Sequence, residues 1–229
     1  MRVFAIDTSA KVLSVALCEN EKLIAGTTLN TGNTHSETLL TVTEEIMGKA
    51  GCGVSDVDLF ACSNGPGSFT GIRIGVSFIK GLAFGSSKPC IGVSTLEALA
   101  LNLRDYKGII CPVMDARRSQ LYNALFRSDG EKLTRLCGDR LTVVDELASE
   151  LAAYEEPVYF CGDGYYIASE NIHGDYIKST YPILTYQSAY SVAALALEKF
   201  RADGAKTDVD LLPVYLRASQ AERELNGKI

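Results

Sequence analysis

The alternation of apolar and polar residues predicts that the chain opens with a group of short strands. Runs of aliphatic and β-branched residues are separated by brief polar stretches, and this spacing is typical of antiparallel hairpins. The predicted strands cover residues 3–6, 13–18 and 23–29. The first connection between them is the polar stretch Asp7-Thr8-Ser9-Ala10-Lys11.

A helical period follows these strands. Thr34 and Glu37 have the spacing of a capping box, apolar residues then recur every three to four positions, and Gly51 stands where a helix would end. We therefore expect a helix over residues 34–50. Ser94 and Glu97 repeat the capping pattern before another helix. The other elements predicted in the first half are a strand at 57–63, a loop at 64–70, a helix at 71–85 and a strand at 90–93.

The order of elements begins again in the middle of the chain. When Asp7 is aligned with Asp115, Leu13 also falls on Leu121, and both aspartates follow a predicted strand. The second half is predicted to contain strands at 109–114, 121–127, 132–136 and 158–161 and helices at 144–153 and 188–200. This repeat predicts two lobes, residues 1–106 and 107–217, followed by a polar tail at 218–229.

Two duplicated β-β-β-α-β-α lobes with mixed sheets resemble the α/β architecture of actin, Hsp70 and sugar kinases, the ASKHA fold. In that superfamily the lobes enclose ATP, and the first hairpin turn faces its phosphates and magnesium. A turn of Asp, Thr and Ser also commonly hydrogen-bonds its own backbone, so both interpretations are open here. The resemblance implies these residues of a vestigial nucleotide site: Asp7, Thr8, Ser9, Gly65, Gly67, Gly162 and Gly164.

The most specific motif is the loop at residues 64–71, Asn-Gly-Pro-Gly-Ser-Phe-Thr-Gly, which continues as Ile-Arg-Ile-Gly. Ile-Asp-Thr-Ser at 6–9, Thr-His-Ser-Glu-Thr-Leu-Leu at 34–40 and Pro-Val-Tyr-Leu-Arg at 213–217 accompany it. Together they resemble the bacterial TsaB (YeaZ) family. The resemblance implies a role in making threonylcarbamoyladenosine beside the tRNA anticodon, in a cytosolic complex with a TsaD-like paralogue and a TsaE-like ATPase.

The resemblance further implies a non-catalytic dimerisation or scaffold subunit that acts by binding the TsaD-like paralogue. No catalytic residue, metal ligand or cofactor is then expected in this chain, while ATP and metal are expected on the partner subunits. Contact with tRNA is expected only through the complex, and a homodimer is expected when the partner is absent. The alternative is a stand-alone ATP-dependent kinase or ATPase. A peptidase is disfavoured because the chain has no HExxH motif.

Composition restricts the chemistry. With 22 basic and 28 acidic residues the chain carries a net charge of −6, which disfavours binding nucleic acid alone. It has only two histidines, His35 and His173, so histidine metal sites and Ser-His-Asp catalysis are also disfavoured. The seven cysteines include no CxxC pair, and no apolar run is long enough to span a bilayer. We therefore expect a cytoplasmic protein without a membrane segment.

The first-lobe helices carry more apolar surface than one sheet face requires. In the helix at 71–85, one apolar arc suffices to cover a sheet, and a second arc adjoins it. Leaving its three large side chains in water would forfeit about 1.5–3 kcal/mol each. We expect a partner helix to cover them, although packing among this chain's own helices is the alternative. The predicted partner-binding residues are His35, Leu39, Val42, Ile46, Ile74, Phe78 and Leu82.

Overall fold

The computed structural model describes residues 1–217, so the predicted tail at 218–229 lies outside the described residues. The first half contains β1 (Arg2–Asp7), β2 (Leu13–Glu19), β3 (Lys22–Leu29), α1 (His35–Lys49), β4 (Leu59–Gly65), α2 (Phe69–Ser86), β5 (Cys90–Ser94) and α3 (Thr95–Leu101). The second half contains β6 (Gly108–Asp115), β7 (Gln120–Asn123), β8 (Phe126–Ser128), β9 (Leu133–Arg135), β10 (Arg140–Val143), α4 (Val144–Leu151), β11 (Val158–Cys161), α5 (Tyr165–Asn171), β12 (Ile177–Lys178) and α6 (Ala189–Asp203).

The two sheets have equivalent strand orders. The first runs β3-β2-β1-β4-β5 and the second runs β10-β7-β6-β11-β12, with the β8–β9 hairpin attached to β6. In both sheets the central strand pairs antiparallel to the next strand and parallel to the strand on its other side. Asp7 ends β1 and Asp115 ends β6, as the alignment of the two halves predicts. The predicted duplication and the mixed sheets are confirmed.

Helix boundaries follow the predicted capping residues. The Thr34 amide donates to Glu37 Oε2 at 3.2 Å at the start of α1, and Gly51 has a φ of +60° just beyond its end. Ser94 Oγ accepts from the Glu97 amide at 3.2 Å and caps α3. The helix α2 begins earlier than residue 71, because Ser68 Oγ accepts from the Gly71 amide and allows the helix to start at Phe69.

The strands of the second lobe differ from the prediction. Residues 121–127 form two strands, since Leu125 turns aside and its carbonyl accepts from the Leu136 amide at 2.7 Å. The predicted third strand at 132–136 is Leu133–Arg135 and belongs to the β8–β9 hairpin. In the second sheet, the edge position equivalent to β3 is occupied by β10. The sequence pattern did not predict β10, because this strand has four residues and no clear alternation of apolar and polar positions.

The last helix returns to the first lobe. Helix α6 packs on the face of the first sheet opposite α1 and α2, and its Ala189 amide donates to Ser14 Oγ at 2.9 Å. Tyr190 Oη donates to the Glu21 carbonyl at 2.9 Å. Small alanine side chains let the helix lie close to β1 and β2. The prediction that residues 107–217 form the second lobe is therefore wrong for α6 and the segment after it.

The lobes meet through α3, which packs against β6 of the second sheet. Leu96 and Leu99 of α3 share a buried cluster with Ile110 and Met114 of β6. An ion pair joins Glu97 to Arg135 at 3.4 Å, beside a hydrogen bond from Ser94 to Asp139. Among the helices of residues 1–217, none combines the length and apolarity needed to cross a lipid bilayer.

Candidate functional site

A cavity of about 510 Å³ lies between the lobes. This volume is within the range of small-molecule sites, which is roughly 300–1,000 Å³. The first hairpin turn and the start of α2 form one wall, the end of β6 forms the opposite wall, and the last described residues close one side. The lining consists of residues 9–11, 66–69, 114–117 and 214–217 together with Tyr122 and Asp163.

The predicted nucleotide-binding turn is buried and satisfied by its own chain. Asp7 Oδ1 accepts from the Ser9 amide at 2.9 Å and from Ser9 Oγ at 2.6 Å, and Asp7 Oδ2 accepts from Ser63 Oγ. Thr8 Oγ1 donates to the Gly71 carbonyl at 2.8 Å. Burial raises the pKa of Asp7, and the hydrogen bonds from Ser63 and Ser9 oppose that rise. These contacts match the second of the two interpretations of the sequence, in which the Asp-Thr-Ser turn forms hydrogen bonds within its own chain.

The predicted glycines bring backbone segments of this chain into contact. A Cβ atom on Gly67 would lie 2.5 Å from the Ser9 carbonyl oxygen, and the neighbouring Ser68 amide donates to that oxygen at 2.7 Å. Gly65 lies directly against the Val214 carbonyl, and Gly162 against the Val113 carbonyl. The Gly164 amide donates to the Val113 carbonyl at 3.0 Å. Of the seven predicted nucleotide residues, only Ser9 and Gly67 line the cavity.

The second lobe repeats the first aspartate turn in a more open form. Asp115 Oδ1 accepts from the Arg117 amide at 2.7 Å, as Asp7 accepts from Ser9, and the Arg117 guanidinium lies 3.4 Å from Asp115 Oδ2. Arg117, Arg118 and Ser119 all have φ between +55° and +67°. This left-handed turn costs roughly 1–2 kcal/mol per residue and presents Arg117 to the cavity.

The apolar arc of α1 is used inside the first lobe. Leu39 is 2% exposed, and Val42 and Ile46 are also buried against β2 and β3. The prediction that these three side chains form a partner surface is contradicted by their burial within the lobe, although Leu40 of the same helix is 57% exposed. His35 is half-buried, and its Nε2 lies 2.6 Å from the Ala10 carbonyl oxygen, so it ties α1 to the first hairpin.

The second apolar arc of α2 reaches the surface. Ile74, Phe78 and Leu82 are half-buried at the edge of the first-lobe core. Gly81 and Gly85 lie on the same helical face, and no atom lies within 4 Å of the Cβ position at either glycine. We call Ile74, Phe78, Gly81, Leu82 and Gly85 the α2 stripe. Contact between this stripe and a partner stays a prediction.

Sequence reasoning missed the residues that close the cavity from the C-terminal side. Tyr215 stacks on Phe69 with ring centroids 4.6 Å apart, and the Arg73 guanidinium lies 3.8 Å from the Phe69 centroid. Phe69 and Arg73 belong to the loop motif and Tyr215 to the Pro-Val-Tyr-Leu-Arg motif. The presence of both motifs in the sequence was therefore the signal that could have indicated a contact between them. Within the described chain, no three His, Cys, Asp or Glu side chains are grouped around a potential metal position.

Comparison with known proteins places these features in context. A family model described as TsaD, tRNA N6-adenosine threonylcarbamoyltransferase, matches residues 29–225. The tRNA threonylcarbamoyladenosine biosynthesis protein TsaB of Bacillus subtilis is 29% identical over 97% of this chain and 96% of its own length. TsaB of Escherichia coli is 36% identical over 56% of each chain. The solved structure of YeaZ from Pseudomonas aeruginosa, 24% identical, covers 94% of this chain and 99% of its own, with a TM-score of 0.79.

Two lobes of equal strand order around a cleft define the actin, Hsp70 and sugar-kinase class of fold, which confirms the predicted fold. Within this class the matching family model describes TsaD, and the match to the B. subtilis TsaB protein runs over almost the full length of both chains. The chain belongs to the TsaD family and, within it, to the TsaB (YeaZ) group. These findings do not favour the alternative of a stand-alone kinase or ATPase.

Proposed function

We propose that this protein is the non-catalytic dimerisation subunit for threonylcarbamoyl transfer to the adenosine beside the tRNA anticodon. It acts by binding a TsaD-like catalytic paralogue, and a TsaE-like ATPase joins the same cytoplasmic complex. The names of its relatives support this role, since the B. subtilis and E. coli proteins are both named as threonylcarbamoyladenosine biosynthesis proteins.

The α2 stripe is the observation that carries the proposal. Two glycines one helical turn apart leave a shallow groove flanked by three half-buried apolar side chains. A helix of another chain can approach such a groove closely, because no Cβ holds it away. The exposed Phe84, on the same helix, extends the apolar surface beside the stripe. A paralogue with the same fold would present an equivalent helix.

The net charge and the buried first turn both support assigning tRNA contact, nucleotide binding and metal binding to the other subunits of the complex. The net charge of −6 disfavours direct binding to the anionic tRNA backbone, so the proposal assigns tRNA contact to the complex. The Asp7 carboxylate and the Thr8 hydroxyl are engaged by Ser9, Ser63 and Gly71. Nucleotide and metal therefore belong to the partner subunits in this proposal, and this chain needs no cofactor of its own.

Co-purification with a tagged TsaD homologue tests the proposal. Phe78→Asp and Leu82→Asp place a carboxylate in the α2 stripe, where desolvation without a partner group opposes association. We expect either change to abolish co-purification. Ile183→Asp is the matched control, because Ile183 is an exposed apolar residue outside the stripe and its variant should bind normally.

Circular dichroism of each variant shows whether the fold is kept, since Phe78 and Leu82 also touch the core. Normal complex formation by folded Phe78→Asp and Leu82→Asp proteins would exclude the stripe as the interface. Failure of the unaltered chain to bind any TsaD homologue would overturn the proposed function itself.

A further inference from the structure

Residues 211–217, which we call the strap, run from the first lobe to the second. Leu211 is buried in the first-lobe core, and its carbonyl accepts from Lys80 Nζ at 3.3 Å. Asn64 binds the next part of the strap through two hydrogen bonds. Its side-chain Nδ2 donates to the Leu212 carbonyl at 2.9 Å, and its backbone carbonyl accepts from the Val214 amide at 2.7 Å. The strap is thus anchored to the end of β4 and to α2.

The first lobe is shaped to receive the strap. Gly65 has a φ of +129° and lies against the Val214 carbonyl, so any side chain at this position would displace the strap. A Cβ on Gly92 would lie 2.6 Å from Cγ of Asn64, the residue that holds the strap, and 2.8 Å from a methyl carbon of Leu211. Both glycines make room for a segment more than a hundred residues later in the chain, which indicates that the strap position is built into the lobe.

The far half of the strap forms a wall of the interlobe cavity and reaches the second lobe. Val214, Tyr215, Leu216 and Arg217 all line the cavity. Tyr215 stacks on Phe69, and its hydroxyl accepts from Arg73 Nε at 2.9 Å. The Arg217 guanidinium crosses the cleft and donates to the Ala116 carbonyl at 2.7 Å.

The lobes are therefore joined in two separate places. One junction is formed by α3 against β6 with the Glu97–Arg135 ion pair. The ion pair lies away from the cavity, whereas Met114 of β6 belongs to this junction and also lines the cavity. The other junction is the strap at the mouth. We propose that the strap is a latch that holds the lobes closed over the cavity, and that its release lets them hinge about the α3 junction. Such hinged closure is a common motion of two-lobed proteins.

Met114 is a native reporter of this latch. It lines the cavity yet is only 2% exposed, so opening of the cleft would expose its thioether to peroxide. Met47 is buried in the separate core under α1 and serves as an internal reference. Oxidation of both methionines can be followed in the full chain by mass spectrometry of their peptides.

In the variant with both Tyr215→Ala and Arg217→Ala, we expect Met114 to oxidise about fivefold faster or more. The net contribution of a single hydrogen bond is large enough to change the population of the open state by about this factor. The Met47 rate should be unchanged. Tyr215→Phe keeps the stacked ring and removes only the bond to Arg73, so it should give an intermediate rate. Tyr190→Ala and Arg201→Ala are the controls. They remove comparable contacts between α6 and Glu21, and both variants should match the parent protein.

An unchanged Met114 rate in the double variant would overturn the latch, since the cleft would then stay closed without the strap. A parallel rise at Met47 and Met114 would overturn it as well, because the strap would then stabilise the whole first lobe and not the closure. The milder Tyr215→Phe variant keeps the proposal testable if the double variant fails to fold.

Discussion

The Ser9 carbonyl oxygen lies 2.5 Å from the position that a Cβ atom on Gly67 would occupy, and it accepts a hydrogen bond from the Ser68 amide at 2.7 Å. The first hairpin turn and the loop before α2 are thereby fastened to each other. Ser9 and Gly67 are both among the residues that the resemblance to the ATP-binding fold implies for a vestigial nucleotide site. In this chain the backbone groups of the two segments bind one another at the first-lobe wall of the cleft.

Replacing Gly67 with alanine should destabilise the protein by about 2 kcal/mol, because the added methyl group must displace the Ser9 backbone. Urea unfolding followed by circular dichroism measures the change. Gly48→Ala is the control: Gly48 lies within α1 with open space around its Cβ position, so alanine should stabilise the helix by about 0.5–1 kcal/mol. Equal stability of the Gly67→Ala and parent proteins would contradict the close contact.

A homodimer is expected when the TsaD-like partner is absent, and it should use the α2 stripe. Gly81→Leu adds bulk where the chain itself has open space, so the monomer should remain folded while the dimer constant weakens about tenfold or more. Gly48→Leu, in comparable open space on α1, should leave association unchanged. Sedimentation velocity over a range of concentrations measures both. A purely monomeric parent protein at high concentration would refute the dimer.

Stability should depend on pH through Asp7. Its folded-state pKa is raised by burial, so the folded chain binds this proton more tightly than the unfolded chain does. Stability is consequently lost as pH rises from the unfolded pKa of about 4 through the folded pKa. Asp7→Asn removes this dependence, and its stability relative to the parent should increase across that window.

Urea unfolding at a series of pH values provides the measurement for Asp7, with the difference between the two proteins as the quantity followed. His35 lies near enough to favour the Asp7 anion, and Cys62 is buried beside it, so both belong to the same environment. A difference that stays constant with pH would show that the Asp7 proton is bound equally in the folded and unfolded chains.

Magnesium ATP should bind the isolated chain weakly. The Asp7 carboxylate accepts three hydrogen bonds from Ser9 and Ser63, and Thr8 donates to Gly71, so binding phosphate or metal would require breaking these contacts. Isothermal titration calorimetry should give no heat corresponding to micromolar affinity. A measured dissociation constant for magnesium ATP in the micromolar range would contradict this prediction and would support a nucleotide-binding role for the first lobe.

Much of the fold could be predicted because local signals and tertiary structure agree. The capping pattern at Thr34 and Glu37 and the duplicated aspartates Asp7 and Asp115 are written into short stretches of sequence. Strand β10 has only four residues, and each of them pairs with a β7 residue that lies 17 to 23 positions earlier. A pattern read along the chain cannot supply such a pairing.

The candidate surfaces were harder to predict for a related reason. Leu39, Val42 and Ile46 show the helical period of an apolar arc, but the period does not state whether a sheet of the same chain or a partner covers it. The α2 stripe differs because its apolar side chains are only half-buried and lie beside the open space above Gly81 and Gly85, and both are properties of the assembled lobe. The strap contacts join residues such as Arg73 and Tyr215, which lie far apart in sequence.

The return of α6 to the first sheet has a consequence for biosynthesis. Strands β1 and β2 leave the ribosome before the second lobe, whereas the helix that covers their second face comes after it. The first lobe therefore cannot complete the burial of Val3, Ala5 and Ala16 until α6 has been made. Completion of the lobe that is translated first thus depends on a helix translated after the second lobe, in contrast to the usual N-to-C order in which each domain folds as a unit.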